Sequence, residues 1–163
     1  MCQRFQGGDP ASPPPLAYPP SIGSVHTPGP GLPCRRPLAL TAIPAGFPSP
    51  AEDYVDCELD LNQHLVRNPA ATFFVRVAGD SMLRASIHDR DIVVVDRSLE
   101  ARNHSVVVAV VHGEMTVKRL RMHGGQLWLI PENTDFPPLE ITAETDFEIW
   151  GVVTHVIHSL AGG

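Results

Sequence analysis

Proline crowds the first third of this chain and thins out after it, and that decides where a fold can form. Thirteen of the seventeen prolines fall at or before Pro50. Each fixes φ and removes a backbone donor, so neither helix nor sheet interior can run through Pro13-Pro14-Pro15, Pro19-Pro20 or Pro28-Gly29-Pro30. Aromatic residues are few in the same stretch, and it cannot bury enough apolar surface to offset its ordering entropy. The expectation is a disordered Pro/Gly-rich arm over residues 1–45. A globular part over residues 46–163 is long enough for one modest core.

Charge divides at the same place. Residues 1–45 carry three arginines and one aspartate, whereas the remainder carries nine basic and seventeen acidic groups. An acidic domain does not attract a phosphate backbone, so a protein partner is expected and direct duplex DNA binding is not. Cys2, Cys34 and Cys57 form no C-x-x-C pair, and neither they nor His64 show metal-ligand spacing. No metal and no cofactor are expected. An odd, scattered set of thiols suits a reducing compartment. The first 20 residues hold no continuous apolar run of the kind a signal peptide needs. The longest apolar run, residues 106–111, is far too short to span a bilayer. The expected location is the cytoplasm, with no membrane contact.

Residues 37–43 read as an extended apolar segment. It leads into Pro44-Ala45-Gly46-Phe47-Pro48-Ser49-Pro50, where prolines disfavour helix and leave an extended, accessible peptide around the small pair Ala45-Gly46. Taken alone this is a linker. Asp60-Leu61-Asn62-Gln63-His64-Leu65-Val66 predicts a short helix capped by Asp60 and ended before Asn68-Pro69. The carboxylates of Glu52, Asp53, Asp56, Glu58 and Asp60 read as a solvated face.

From there the pattern is strand. Residues 72–77 are rich in β-branched and aromatic side chains and break at Gly79, and the runs 92–95 and 106–111 are apolar enough to be buried on both faces. His112-Gly113 predicts a hairpin turn into a strand over 115–122, and His123-Gly124-Gly125 a second turn before 127–130. The last strand spans 147–157 and is interrupted by Gly151. Several short strands at close spacing with little helix mean a mostly-β domain.

Two residues carry the chemistry. Lys118 is the single lysine beside eleven arginines, set within an apolar strand pattern. Ser81 follows Gly79-Asp80 at a strand end, where its hydroxyl can project from a turn. Read alone, Gly-Asp-Ser is a turn and a strand lysine is a snorkelling side chain. Read together, they supply the nucleophile and base of a Ser-Lys pair. A serine hydroxyl needs a base within hydrogen-bond reach, and a desolvated lysine can be that base because burial disfavours its ammonium. Arginine cannot lose its proton and so cannot take that role. With period-2 alternation Lys118 shares a face with Thr116, Leu120 and Met122, while Arg119 and Arg121 fall on the other. The remaining histidines lie beside turns or near the end, where solvated side chains are expected. His88 leaves a Ser-His arrangement open.

Gly79-Asp80-Ser81-Met82, followed by Thr116-Val117-Lys118-Arg119-Leu120, resembles the self-cleaving Ser-Lys proteins of the LexA and UmuD type. Three more stretches put the likeness on the UmuD side of that family. They are residues 46–54, Asp60-Leu61-Asn62-Gln63, and Gly151-Val152-Val153-Thr154-His155-Val156. The resemblance covers the chain from about Pro37 onward and implies the family's mostly-β peptidase fold. By the same resemblance Ser81 is the nucleophile, Lys118 the general base, and Ala45–Gly46 the scissile bond. The resemblance also implies that the backbone N–H groups of Asp80 and Ser81 form the oxyanion hole. Also implied are a homodimer, a RecA filament on single-stranded DNA as co-protease, and a UmuC-type polymerase subunit that joins the trimmed form during the SOS response. The chain departs from the family in two places. It has no helix-turn-helix pattern before Ala45, unlike a LexA repressor, and its Pro-rich stretch to Pro33 is unlike the family's short arm.

Two other functions fit the residues less well. A non-catalytic polymerase-binding module of the same fold would have no need of Ser81, Lys118 and Ala45-Gly46 together. A signal peptidase acting on other proteins would be expected to carry a membrane anchor.

Overall fold

A computed structural model describes residues 25–26, 33–39, 45 and 55–160 of the chain. Its frame is an eight-stranded, wholly antiparallel sheet in the order β1-β4-β5-β10-β6-β7-β8-β9. The strands are β1 (Val25–His26), β4 (Thr72–Arg76), β5 (Ile92–Asp96), β6 (Val106–Val111), β7 (Glu114–His123), β8 (Gln126–Ile130), β9 (Leu139–Ile141) and β10 (Phe147–Ile157). A separate ribbon pairs β2 (Arg35–Ala39) with β3 (Val55–Asp60). The only α-helix among the described residues is α1 (Leu61–Leu65). The fold is mostly β, as expected.

The valine runs explain the layering. In β6, Val108 packs into one apolar cluster with Val75, Val93, Val95, Met115 and Trp150, while Val107 and Ala109 pack into a second with Leu120, Leu129 and Val152. A strand buried on both faces must be apolar at every position, which is what residues 106–111 supply. The sheet register slips between Ile149 and Gly151, a β-bulge that inserts Trp150. In a regular strand Ile149 and Val152 would point to opposite faces, yet both pack on the second cluster while Trp150 enters the first. At Gly151 the neighbouring strand comes so close that an added Cβ would lie 2.6 Å from Val95 Cγ1.

Both glycine hairpins form. His112 (φ 50°) and Gly113 (φ 82°) close β6 onto β7, and Gly124 (φ 59°) and Gly125 (φ 81°) close β7 onto β8. Positive φ at both central positions is the two-residue turn that matches strand twist.

Within residues 1–45 the described residues include β1, which pairs with β4, and β2, which pairs with β3. Pro37 is compatible with a strand there because the ribbon has only two strands, leaving an outer edge on which no donor is needed. One expectation needs correcting: Asp60 is not part of a solvated face. It is buried, and its carboxylate accepts from the N–H of Asn62 as the α1 cap and from the N–H of Cys34. Removing those two donors from water requires an acceptor in the same place.

Candidate active site

Ser81 sits on a turn held from three sides. Beyond β4, Val77 exchanges backbone hydrogen bonds with the loop before β5, donating to the Asp91 carbonyl (2.8 Å) and accepting from the Arg90 N–H (3.0 Å). Gly79, at φ 89°, donates its N–H to the Asp89 carboxylate at 2.8 Å. That φ is readily available only to glycine, so Gly79 is what turns the chain out of the strand. Met82 is buried in the first cluster, anchoring the residue next to Ser81, and a single 3-10 turn over Leu83–Ala85 follows. On the third side, the loop after β8 reaches in. Asn133 Nδ2 donates to the Asp80 carbonyl at 3.0 Å, and the Arg84 N–H donates to the Glu132 carbonyl at 2.8 Å. Glu132 is itself paired with Arg119 on β7.

Lys118 comes from the middle of β7, where it lies opposite Val107 in the ladder with β6. Its Nζ is 3.0 Å from Ser81 Oγ, 2.7 Å from Thr116 Oγ1 and 3.0 Å from the Val117 carbonyl. Burial holds its ammonium below the usual lysine range. Both side chains line a cleft whose walls include Val77, Met115, Val117 and Phe136, with Arg76, Asp80 and Thr116 at its polar side.

Three groups around a primary amine limit what it can do. As an ammonium, Lys118 donates to all three oxygens. As a neutral amine it has two N–H donors and one lone pair. Thr116 Oγ1 and the Val117 carbonyl can occupy the donors, which leaves the lone pair for the Ser81 hydroxyl. This is an arrangement for taking a proton from serine.

The other predicted site residues fall as follows. Asp80 is exposed beside Ser81, and no described residue accepts from the N–H of either. Ala45 stands exposed in a bend, and Gly46 lies outside the described residues. His88 does not approach Ser81. It faces Asp91 together with His158, whose ring is exposed, as expected from sequence, while its Nδ1 lies against the Asp91 carboxylate. Sequence reasoning put Thr116 on the Lys118 face, since i and i+2 share a strand face, but gave it no role, and it missed Asn133. Asn133, which is 53 residues from Asp80, gave no signal.

Residues 37–154 match the sequence model of the Peptidase S24-like family. The chain is 52% identical over 120 residues to Protein MucA of Salmonella typhimurium, covering 73% of this chain and 82% of that protein. It is 46% identical over 122 residues to Protein SamA of the same organism, covering 75% and 84% respectively. A LexA repressor from Acidithiobacillus ferrooxidans is 41% identical over 118 residues, covering 71% of this chain and 57% of the repressor.

Proposed function

This chain belongs to the Peptidase S24-like family, on its UmuD-like side, and from that premise we propose that it is an SOS-response serine peptidase that cuts its own Ala45–Gly46 bond. The observation that carries the reading is the 3.0 Å approach of Lys118 Nζ to Ser81 Oγ inside a cleft where burial depresses the ammonium. The 46–163 fragment is then the working form, a homodimer in the cytoplasm that joins a UmuC-type subunit of an error-prone translesion polymerase.

The chemistry runs in two halves. Neutral Lys118 takes the Ser81 hydroxyl proton as Oγ attacks the Ala45 carbonyl carbon, forming a tetrahedral oxyanion. The N–H groups of Asp80 and Ser81 are the donors for that oxyanion. As the C–N bond breaks, Lys118 gives its proton to the leaving amine of Gly46 and is neutral again. A water molecule, deprotonated by Lys118, then attacks the Ala45–Ser81 ester, and as the ester breaks Lys118 returns that proton to Ser81 Oγ while the Ala45 carboxylate is released.

A substrate on the same chain makes a modest pair sufficient, because attachment replaces encounter with a high effective concentration. What needs control is whether residues 40–50 occupy the cleft. A RecA filament on single-stranded DNA would act by favouring the occupied conformation and would need to contribute no catalytic group.

The test is to incubate the full chain with RecA, single-stranded DNA and nucleotide, then pass the products over an immobilised UmuC-type polymerase. Filament-accelerated appearance of the 46–163 fragment and its retention on the polymerase are expected. Retention of the uncut chain alone, with no fragment formed, would favour a non-catalytic polymerase-binding module.

A further inference from the structure

Away from Ser81, the loop before β5 and the segment after β10 bring together His88, Asp91 and His158. Their ligand atoms all lie within 4.8 Å of one another. His158 Nδ1 is 2.6 Å from Asp91 Oδ1, and the His88 and His158 ring centroids are 4.7 Å apart. The carboxylate of Asp91 is nearly closed to solvent, with 4% of the side chain exposed. The other carboxylate oxygen, Oδ2, accepts from the backbone N–H of His88 at 2.7 Å.

A structural tether between the end of β10 and this loop would account for His158 and for the carboxylate. It does not account for the His88 ring. The Nδ1 of that ring is shut off from solvent without a hydrogen-bond partner among the described residues, yet it points toward Asp91 Oδ2 at 3.5 Å. A buried ring nitrogen left unpaired loses its hydration without return. We propose that His88, Asp91 and His158 form a binding site for one divalent transition-metal cation of the zinc class.

The donor set selects the ion. Two imidazoles with one carboxylate suit zinc, cobalt, nickel or copper, whereas magnesium and calcium prefer sites built wholly of oxygen. Burial raises the Asp91 carboxyl, but the His88 N–H and the His158 ring outweigh it and hold the group below the usual carboxylate range. The site therefore carries a fixed negative charge at neutral pH. Tetrahedral metal–ligand bonds of about 2.0–2.2 Å place ligand atoms about 3.3–3.6 Å apart, so His158 Nδ1 and Asp91 Oδ1, now 2.6 Å apart, would have to separate to admit the ion. The Nδ1 proton that His158 now gives to Asp91 would leave to solvent as the ion replaces it, so binding releases a proton. Three protein ligands leave one tetrahedral position for water.

The position gives the ion a mechanical effect. Residues 89–91 of this loop hold Val77 and Gly79 through three hydrogen bonds, those of the Asp91 carbonyl, the Arg90 N–H and the Asp89 carboxylate. Fixing His158 to the same loop closes the end of β10 against the support of the Ser81 turn.

The experiment is a zinc titration of the full chain against a competing chromophoric chelator, in a background where Cys2, Cys34 and Cys57 are replaced by serine. Binding at one equivalent is expected, with affinity reduced by about tenfold or more in His158→Ala and in His88→Ala. Cobalt in place of zinc should give the visible absorption of a four-coordinate nitrogen–oxygen site, lost in the same variants. His158 is exposed near the chain end, so its replacement should leave far-ultraviolet circular dichroism unchanged and keep the comparison valid. No binding at tenfold molar excess of zinc, or equal affinity in wild type and His158→Ala, would overturn the proposal.

Discussion

The side-chain amide of Asn133 donates to the carbonyl of Asp80 across 3.0 Å, and that carbonyl belongs to the same peptide unit as the N–H of Ser81. A peptide unit is planar, so fixing its oxygen fixes the direction of its N–H. The loop after β8 thereby aims one of the two proposed oxyanion donors without touching the substrate. Asn133→Ala should fold normally and cut itself about tenfold more slowly, short of the 10²–10³-fold expected when an oxyanion donor is removed outright. Single-turnover cleavage rates across pH would check this. The alkaline rise should keep its midpoint, since Asn133 does not touch Lys118.

Thr116 should behave differently. Its hydroxyl takes one of the bonds that orient the Lys118 amine, and Thr116→Val leaves that N–H without an acceptor at the same side-chain volume. A hydrogen bond to a charged group is worth about 1.5–3 kcal/mol, so the rate should fall by roughly 10- to 100-fold. Here the pH midpoint should also move, and Thr116→Ser should restore both rate and midpoint. An unaltered pH profile in Thr116→Val would show the hydroxyl to be structural only.

The pH dependence follows from the direction of the Lys118 shift. Burial lowers its folded-state pKa below the ordinary 10.5, so the neutral amine appears at lower pH than in the unfolded chain. Self-cleavage should accelerate as pH rises through the folded-state value and level off beyond it. A flat rate between about pH 7 and 10 would contradict Lys118 as base. Stability carries the same sign. Between the folded and unfolded pKa the unfolded chain binds the extra proton, so wild type should gain stability with pH relative to Lys118→Met. Denaturant midpoints of the two proteins over that range would show it.

Gly151 offers a test of the frame. An added Cβ would meet Val95 Cγ1 at 2.6 Å, Arg97 Cγ at 3.2 Å and the Asp96 carbonyl at 3.3 Å. Val95 is wholly buried and has little room to give. Gly151→Ala should destabilise by about 1–3 kcal/mol, read as a lower urea midpoint at unchanged slope.

What the residues disclose and what they hide divides by distance along the chain. The hairpins at Gly113 and Gly124-Gly125 were legible because positive φ leaves a local mark, and β6 because burial on both faces requires an unbroken valine run. Lys118 was legible as the only lysine in the chain, and Ser81 through the turn that precedes it. Contacts across long separations were not. Nothing near Asp80 points to Asn133, and nothing near His88 points to His158. Asp60 was misread because its acidic neighbours suggested a solvated face, while its own carboxylate satisfies two backbone donors. Residues 37–43 read as extended, which overlaps β2, but nothing in them pointed to the pairing of β2 with β3.

The most direct measurement is the intact mass of the full chain after incubation at about pH 9–10, where more of a desolvated lysine is neutral than at pH 7, beside Ser81→Ala and Lys118→Ala. A fragment beginning at Gly46 in wild type, absent from both variants, is the predicted result. A chain that stays whole under these conditions and with RecA filament added, or one still cut in either variant, would contradict the Ser81–Lys118 pair as the source of cleavage.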